Sequence, residues 1–247
     1  DEPETFFGTM QSLDTFLEPL DLPIMKKAGV KIIRFVFRWS SVEPKQGQYN
    51  WKVYDRVFEE CKKNGIIPLP CLVRIPDWAV NPDLKKSAPP QARDFPPDKI
   101  EYYTDFVREV VKRYKSYTKY WQIWNEPEAP QSFHGGSPEI YAELLKASYK
   151  VVKEIDPDAQ VVIGAPYSVD GYSEKVSKLA NKYFDIDGIH SHSGVEALRN
   201  TINSQNKLHK SLGIDKPVWV DETGYRADPK DPIGELTKAE TVIKKIV

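Results

Sequence analysis

Short apolar runs rich in β-branched and aromatic residues alternate with longer amphipathic runs along this chain. The strand-like runs fall at 5–10, 31–39, 66–73, 119–125, 159–165, 184–190 and 217–222. The helix-like runs fall at 17–28, 54–64, 100–117, 138–155, 172–183, 195–212 and 236–247. A strand followed by a long helical crossover pairs parallel to the next strand, so the pattern predicts repeated βα units around one parallel sheet. Punctuation agrees. Gly29, Gly65 and Gly213 each close a helical run just before a strand, where a helix end favours glycine. Ser137-Pro138-Glu139 reads as an N-cap, a proline in the first turn and an acid beside it. The Pro-rich stretch 80–97 reads as a long loop above the third strand.

Two architectures satisfy such a pattern. A doubly wound open sheet carries a Gly-rich phosphate turn after its first strand. Here that place holds Gln11-Ser12-Leu13-Asp14, so the expected fold is a (β/α)8 barrel of one domain. Seven βα units are counted in the 247 residues, and the eighth is missing. The expectation is therefore a single catalytic barrel, residues 1–247, incomplete at its C-terminus.

The formal net charge is −1, with no long run of one sign, which argues against a nucleic-acid or anionic-membrane surface. No apolar run approaches the ~20 residues of a membrane span. The two cysteines, Cys61 and Cys71, lack metal-type spacing and read as buried thiols. The expected location leans to secreted or periplasmic over cytoplasmic, with oligomeric state left open.

Two segments carry chemistry. Tyr120-Trp121-Gln122-Ile123-Trp124-Asn125-Glu126-Pro127 is an apolar strand ending in an amide and a carboxylate. Val218-Trp219-Val220-Asp221-Glu222-Thr223 also ends in carboxylates. The C-terminal ends of barrel strands are where active sites are built. If side chains alternate along the seventh strand, Glu222, Val220 and Val218 point into the barrel, and Trp219 and Asp221 face the helices. An arbitrary Asn-Glu-Pro is far more often a capped turn with a solvated acid, and its place at the end of a barrel strand is what raises it here. Two such acids, on strands four and seven, suit the paired carboxyls of a retaining glycosidase, one giving a proton and the other attacking the anomeric carbon.

These segments resemble the clan A glycoside hydrolases, most closely the family of β-xylosidases and α-L-iduronidases that includes bacterial exopolysaccharide endoglycosidases. The likeness is carried by Ile33-Arg34-Phe35, Trp39-Ser40-Ser41-Val42-Glu43-Pro44, Pro76-Asp77-Trp78-Ala79, the Trp124–Pro127 stretch, and Phe184-Asp185 with His190. It implies Glu126 as acid/base, Glu222 as nucleophile and Asn125 as a donor to the sugar 2-hydroxyl. It places Arg34 beneath the nucleophile, its charge favouring the ionised carboxylate. His190 matches the family's strand-six histidine. His192 stands where that family has a tyrosine. The His190/His192 pair lacks a third ligand at matching spacing, so no metal and no cofactor are expected. Trp39, Trp78, Trp124, Phe133, Tyr167 and Tyr225 end or follow strands and are candidates to stack on sugar rings, or to be core.

The expected function is retaining hydrolysis of β-linked oligo- or polysaccharides, with carbohydrate as the partner. The competing reading is a non-catalytic carbohydrate-binding barrel or a truncated inactive relative. A phosphate-binding isomerase barrel is disfavoured by the absence of a late Gly-rich loop.

Overall fold

The computed structural model describes residues 8–11, 22–165, 171–192 and 194–223. Seven parallel strands run in chain order: β1 Gly8–Gln11, β2 Ile32–Arg38, β3 Ile67–Val73, β4 Tyr120–Ile123, β5 Gln160–Ile163, β6 Asp187–Ser191 and β7 Val218–Thr223. β1 to β5 form one sheet and β6 pairs with β7. A single parallel bridge, Val162 to Ile186, joins the two groups. Helices α1 Leu22–Lys27, α2 Trp39–Val42, α3 Lys52–Asn64, α4 Pro82–Ser87, α5 Ile100–Tyr114, α6 Pro138–Ile155, α7 Gly171–Ala180 and α8 Val195–Leu212 lie between them. This is the expected arc of βα units, with seven barrel strands among the described residues. The expected strand residues 5–7 and the helix expected at 236–247 lie outside the described residues.

The strand faces divide the interior in two. Ile33, Phe35, Phe37, Leu72, Trp121, Ile123, Val161 and Ile163 point outward and join Phe58, Phe106, Val110, Leu144 and Leu145 of the helices in one cluster. Phe37 stacks on Tyr54 with ring centres 3.9 Å apart and is fully buried. A buried ring of this kind contributes about 3–5 kcal/mol relative to alanine. Inside the arc lies a smaller apolar layer of Ile32, Leu69, Val162 and Ile186, against which Ile67, Tyr120 and Trp219 pack. Trp219 therefore faces the barrel interior, not the helices as strict alternation predicts.

The cause is a bulge in β7. Ile189 pairs with Val220, but His190 pairs with Glu222, so Asp221 is the extra residue. A bulge lets two neighbouring side chains emerge on the same side. Asp221, expected to face the helices, points inward, and Glu222 still reaches the mouth.

Local signals hold in most places. Ser137 caps α6 by accepting from Ile140 N, with Pro138 in the first turn. Gly65 and Gly213 close α3 and α8 in the left-handed conformation. The stretch read as a plain loop, 80–97, contains α4. Asn81 caps it by accepting from Asp83 N and Leu84 N, with Pro82 next. Both cysteines are buried and unbridged, and burial pushes both thiols up to about 12, so they stay protonated. No helix among the described residues is long and apolar enough to cross a membrane.

Gly164, just after β5, is set by close approach. A Cβ there would lie 2.6 Å from Ile123 O and 2.9 Å from Trp124 O. The Tyr141 hydroxyl locks the contact, accepting from Gly164 N at 2.7 Å and donating to Ile123 O at 2.8 Å. Gly164→Ala must push back the strand end that carries Asn125 and Glu126. We expect a loss of about 1–3 kcal/mol in stability, together with a fall in activity. Thermal melts and steady-state kinetics check this, and an unchanged melting temperature would show that the backbone absorbs the methyl.

Candidate active site

Arg34, in the middle of β2, is buried and organises the upper barrel. Its Nε donates to Gln122 Oε1 at 2.7 Å, Nη1 donates to Glu222 Oε2 at 2.9 Å, and Nη2 donates to Asn125 Oδ1. Nε also lies 3.4 Å from Asp221 Oδ2. A planar guanidinium can hold several acceptors at fixed angles, which an ammonium cannot. Gln122 in turn donates from Nε2 to Asp221 Oδ2 and to Ile163 O. β2, β4 and β7 are thus tied across the barrel by three polar side chains. The sequence reading missed Asp221 and Gln122. For Gln122 the signal was present, a lone amide between Trp121 and Ile123. For Asp221 no local signal announces the bulge.

Above this layer sit the two acids. Trp124 and Glu126 both adopt left-handed backbone, φ 70° and 46°. For residues with a side chain this costs roughly 1–2 kcal/mol each. The turn breaks the alternation of β4, so that Asn125 reaches Arg34 while Glu126 reaches His190. Glu126 Oε1 lies 2.8 Å from His190 Nδ1. His192 Nε2 lies 3.3 Å from Glu222 Oε1, and His190 Nε2 lies 3.8 Å from Glu222 Oε2. One donor atom from each of Glu126, His190, His192 and Glu222 falls within 4.8 Å of the others. The structure therefore brings Glu126, Glu222, Asn125, Arg34, His190 and His192 into one site.

The aromatics divide differently. Trp39 and Trp124 are fully buried. Trp39 stacks on Phe106 and donates to Glu43 Oε2 at 2.7 Å; Trp124 donates to Ser132 O at 2.8 Å. Neither offers a face to a sugar, because Tyr103 and Phe106 of α5 cover Trp39, and Tyr103 and Phe133 cover Trp124. Phe133 is core as well. Trp78 is half-buried, edge-on to Trp39 and donating to Glu43 O. Tyr167 and Tyr225 lie outside the described residues.

Charge follows geometry. Burial opposes a charge on His190, but the carboxylates of Asp221 and Glu126 at its two nitrogens prevail and push its imidazolium up to about 9. Burial likewise works against the Glu126 carboxylate, yet the bond to His190 and its charge hold Glu126 below its ordinary range. In the free site the proton of this pair sits on His190. A glycosidase acid alone would be expected to hold it on the carboxyl.

Comparisons with known proteins agree with this fold. The model of the glycoside hydrolase 42 family, β-galactosidase, matches residues 16–82. A 6-phospho-β-glucosidase of Clostridium longisporum is 31% identical over 172 residues, 59% of this chain and 35% of the relative. A β-galactosidase of Lactobacillus acidophilus is 22% identical over 238 residues, 83% of this chain and 34% of the relative. The chain thus spans about a third of the length of these two relatives. Among solved structures, a monomeric β-xylosidase from Caulobacter crescentus superposes with a TM-score of 0.78 at 16% identity, covering 97% of this chain and 56% of that one. The barrel fold is the shared one. The chain is a relative of the clan A glycoside hydrolases.

Proposed function

We propose that the chain is the catalytic barrel of a retaining β-glycosidase, acting on β-linked oligo- or polysaccharides. The observation that carries this is the pair Glu126 and Glu222, facing one another across the strand ends with one oxygen of each within 4.8 Å of the other. Retaining enzymes keep their carboxyls ~5–5.5 Å apart, whereas inverting ones need ~6.5–9.5 Å to admit a water. In this reading Glu222 attacks the anomeric carbon. Arg34 fixes its Oε2, and Oε1 stays on the His192 side. Glu126 serves the leaving oxygen and takes its proton from His190 across the 2.8 Å contact. In the second half Glu126 is already ionised and can accept a proton from the water that releases the sugar. Asn125 is oriented by Arg34 to donate its amide hydrogens to the sugar.

The experiment is the configuration of the first-formed product. A panel of aryl β-glycosides followed by proton NMR should release the β-anomer first. Release of the α-anomer, or no turnover on any β-glycoside, would overturn the reading.

The pH profile carries a further expectation. His190 keeps its proton below about 9, so the His190/Glu126 pair can deliver one there. As pH rises through that value the proton is lost and kcat/KM should fall. His190→Gln should remove this alkaline limb, leaving whatever activity remains flat across it. Measurement from pH 6 to 10 in chelator-treated buffer checks this, and an unmoved alkaline limb in the variant would assign it to another group.

A further inference from the structure

His190 and His192 lack a metal-type partner nearby in sequence, but the fold supplies two from other strands. We propose that Glu126, His190, His192 and Glu222 together bind one divalent transition-metal ion, zinc in the first instance, across the mouth of the barrel, and that the bound ion switches the site off.

The donor set is two imidazole nitrogens and two carboxylate oxygens, each within 4.8 Å of the rest. That mixture suits zinc and its neighbours better than calcium or magnesium, which take oxygen. Bonds of about 2.0–2.2 Å in a tetrahedral shell place donors roughly 3.3–3.5 Å apart. His192 Nε2 and Glu222 Oε1 already stand at 3.3 Å. His190 Nδ1 and Glu126 Oε1, at 2.8 Å, need to part by about half an ångström and the wider pairs to close by an ångström or so, within the reach of side-chain rotation. Arg34 opposes a cation, but it holds Glu222 by Oε2 and leaves Oε1 on the His192 side. Arg34 contacts two carboxylates, Asp221 and Glu222, and Glu126 lies against His190; once the ion displaces the His190 proton, three carboxylates against one guanidinium leave two negative charges for a divalent ion to neutralise.

The support around the ligands also fits. His190 Nε2 and Asp221 Oδ1 are buried, 3.5 Å apart, and neither makes a hydrogen bond among the described residues. A histidine that binds metal through Nδ1, the nitrogen facing Glu126, carries its hydrogen on Nε2 and donates it to a carboxylate behind. Asp221 stands in that place. His192 is about a third exposed, which gives an ion a way in. With both carboxylates engaged, neither could attack or exchange a proton. That inhibitory half rests on the glycosidase reading; the binding half does not.

The test is calorimetry of the chelator-stripped, dialysed protein with zinc chloride. One equivalent should bind with a Kd of about 10 μM or tighter. Cobalt(II) in place of zinc should give the intense visible bands of a tetrahedral nitrogen and oxygen shell. His192→Tyr and His192→Gln, each checked for native melting, should weaken binding by about tenfold or more. His134→Ala, away from the cluster, should bind as the unmodified protein does. Aryl β-glycoside hydrolysis should be lost as the site fills and return on adding EDTA. Absence of one-site binding up to about 1 mM zinc, a weak octahedral cobalt spectrum, or equal binding by the folded His192 variants would overturn the proposal. Binding without inhibition would overturn its second half. A metal-stripped protein that binds zinc yet hydrolyses no β-glycoside would sink the glycosidase reading and leave the metal site standing.

Discussion

Glu222→Ala is expected to reduce turnover by at least about 10⁴-fold, because the covalent glycosyl-enzyme cannot form without the carboxylate. The methyl group leaves a space beside Arg34 Nη1 and His192 Nε2, the two groups that flank the native carboxylate. A small anion such as azide fits that space and its charge. With an activated aryl glycoside, azide should restore part of the rate and give a glycosyl azide of inverted configuration. The restored product decides the matter more cleanly than the lost rate. Recovery of a retained product, or a residual rate within tenfold of the unmodified protein, would remove Glu222 from the nucleophile's place.

Glu126→Ala should show a different signature. General acid help is worth about 10²–10⁴-fold, and it matters most when the leaving group is a poor one. Dinitrophenyl glycosides need no proton to leave, so their first step should be nearly spared. Their second step loses its base, and the glycosyl-enzyme should accumulate as a burst. Unactivated oligosaccharides should lose close to the full factor. His190 adds a further mark. With Glu126 gone, His190 loses one of the two carboxylates that raise its pKa, so any alkaline limb should move down in pH. Equal losses on activated and unactivated substrates would show that Glu126 is not the proton donor.

Much of this was legible before any coordinates. Alternation at two periods predicts the βα units because a strand and a helix bury different residue spacings, and the observed strands lie inside the predicted runs or overrun them by a residue. Both acids were found as a pair: either carboxylate alone at the end of an apolar strand is a weak signal, whereas two of them, on strands four and seven of one barrel, fit a single chemistry. What was not legible has particular causes. Trp39 and Trp124 end strands, as a sugar-binding aromatic would, but Trp39 is covered by α5, more than sixty residues on, and Tyr103 of that helix also packs on Trp124. Asn81-Pro82-Asp83 carried a cap signal that the surrounding prolines disguised. The parity of β7 was read one residue out of phase, since alternation assumes an unbroken ladder.

The ladder is broken at Asp221, between the floor of the barrel and its mouth. Below the break β7 shows Trp219 to the interior; above it, Glu222. The two storeys of the barrel are therefore set by independent rules. The floor can exchange one apolar side chain for another while the bulge keeps the acid aimed. The weak point is chemistry rather than length. Deleting Asp221 alone would close the bulge and leave Glu222 facing inward opposite His190, but it would take away the one carboxylate that Arg34, Gln122 and His190 share, with every other residue of the site still present.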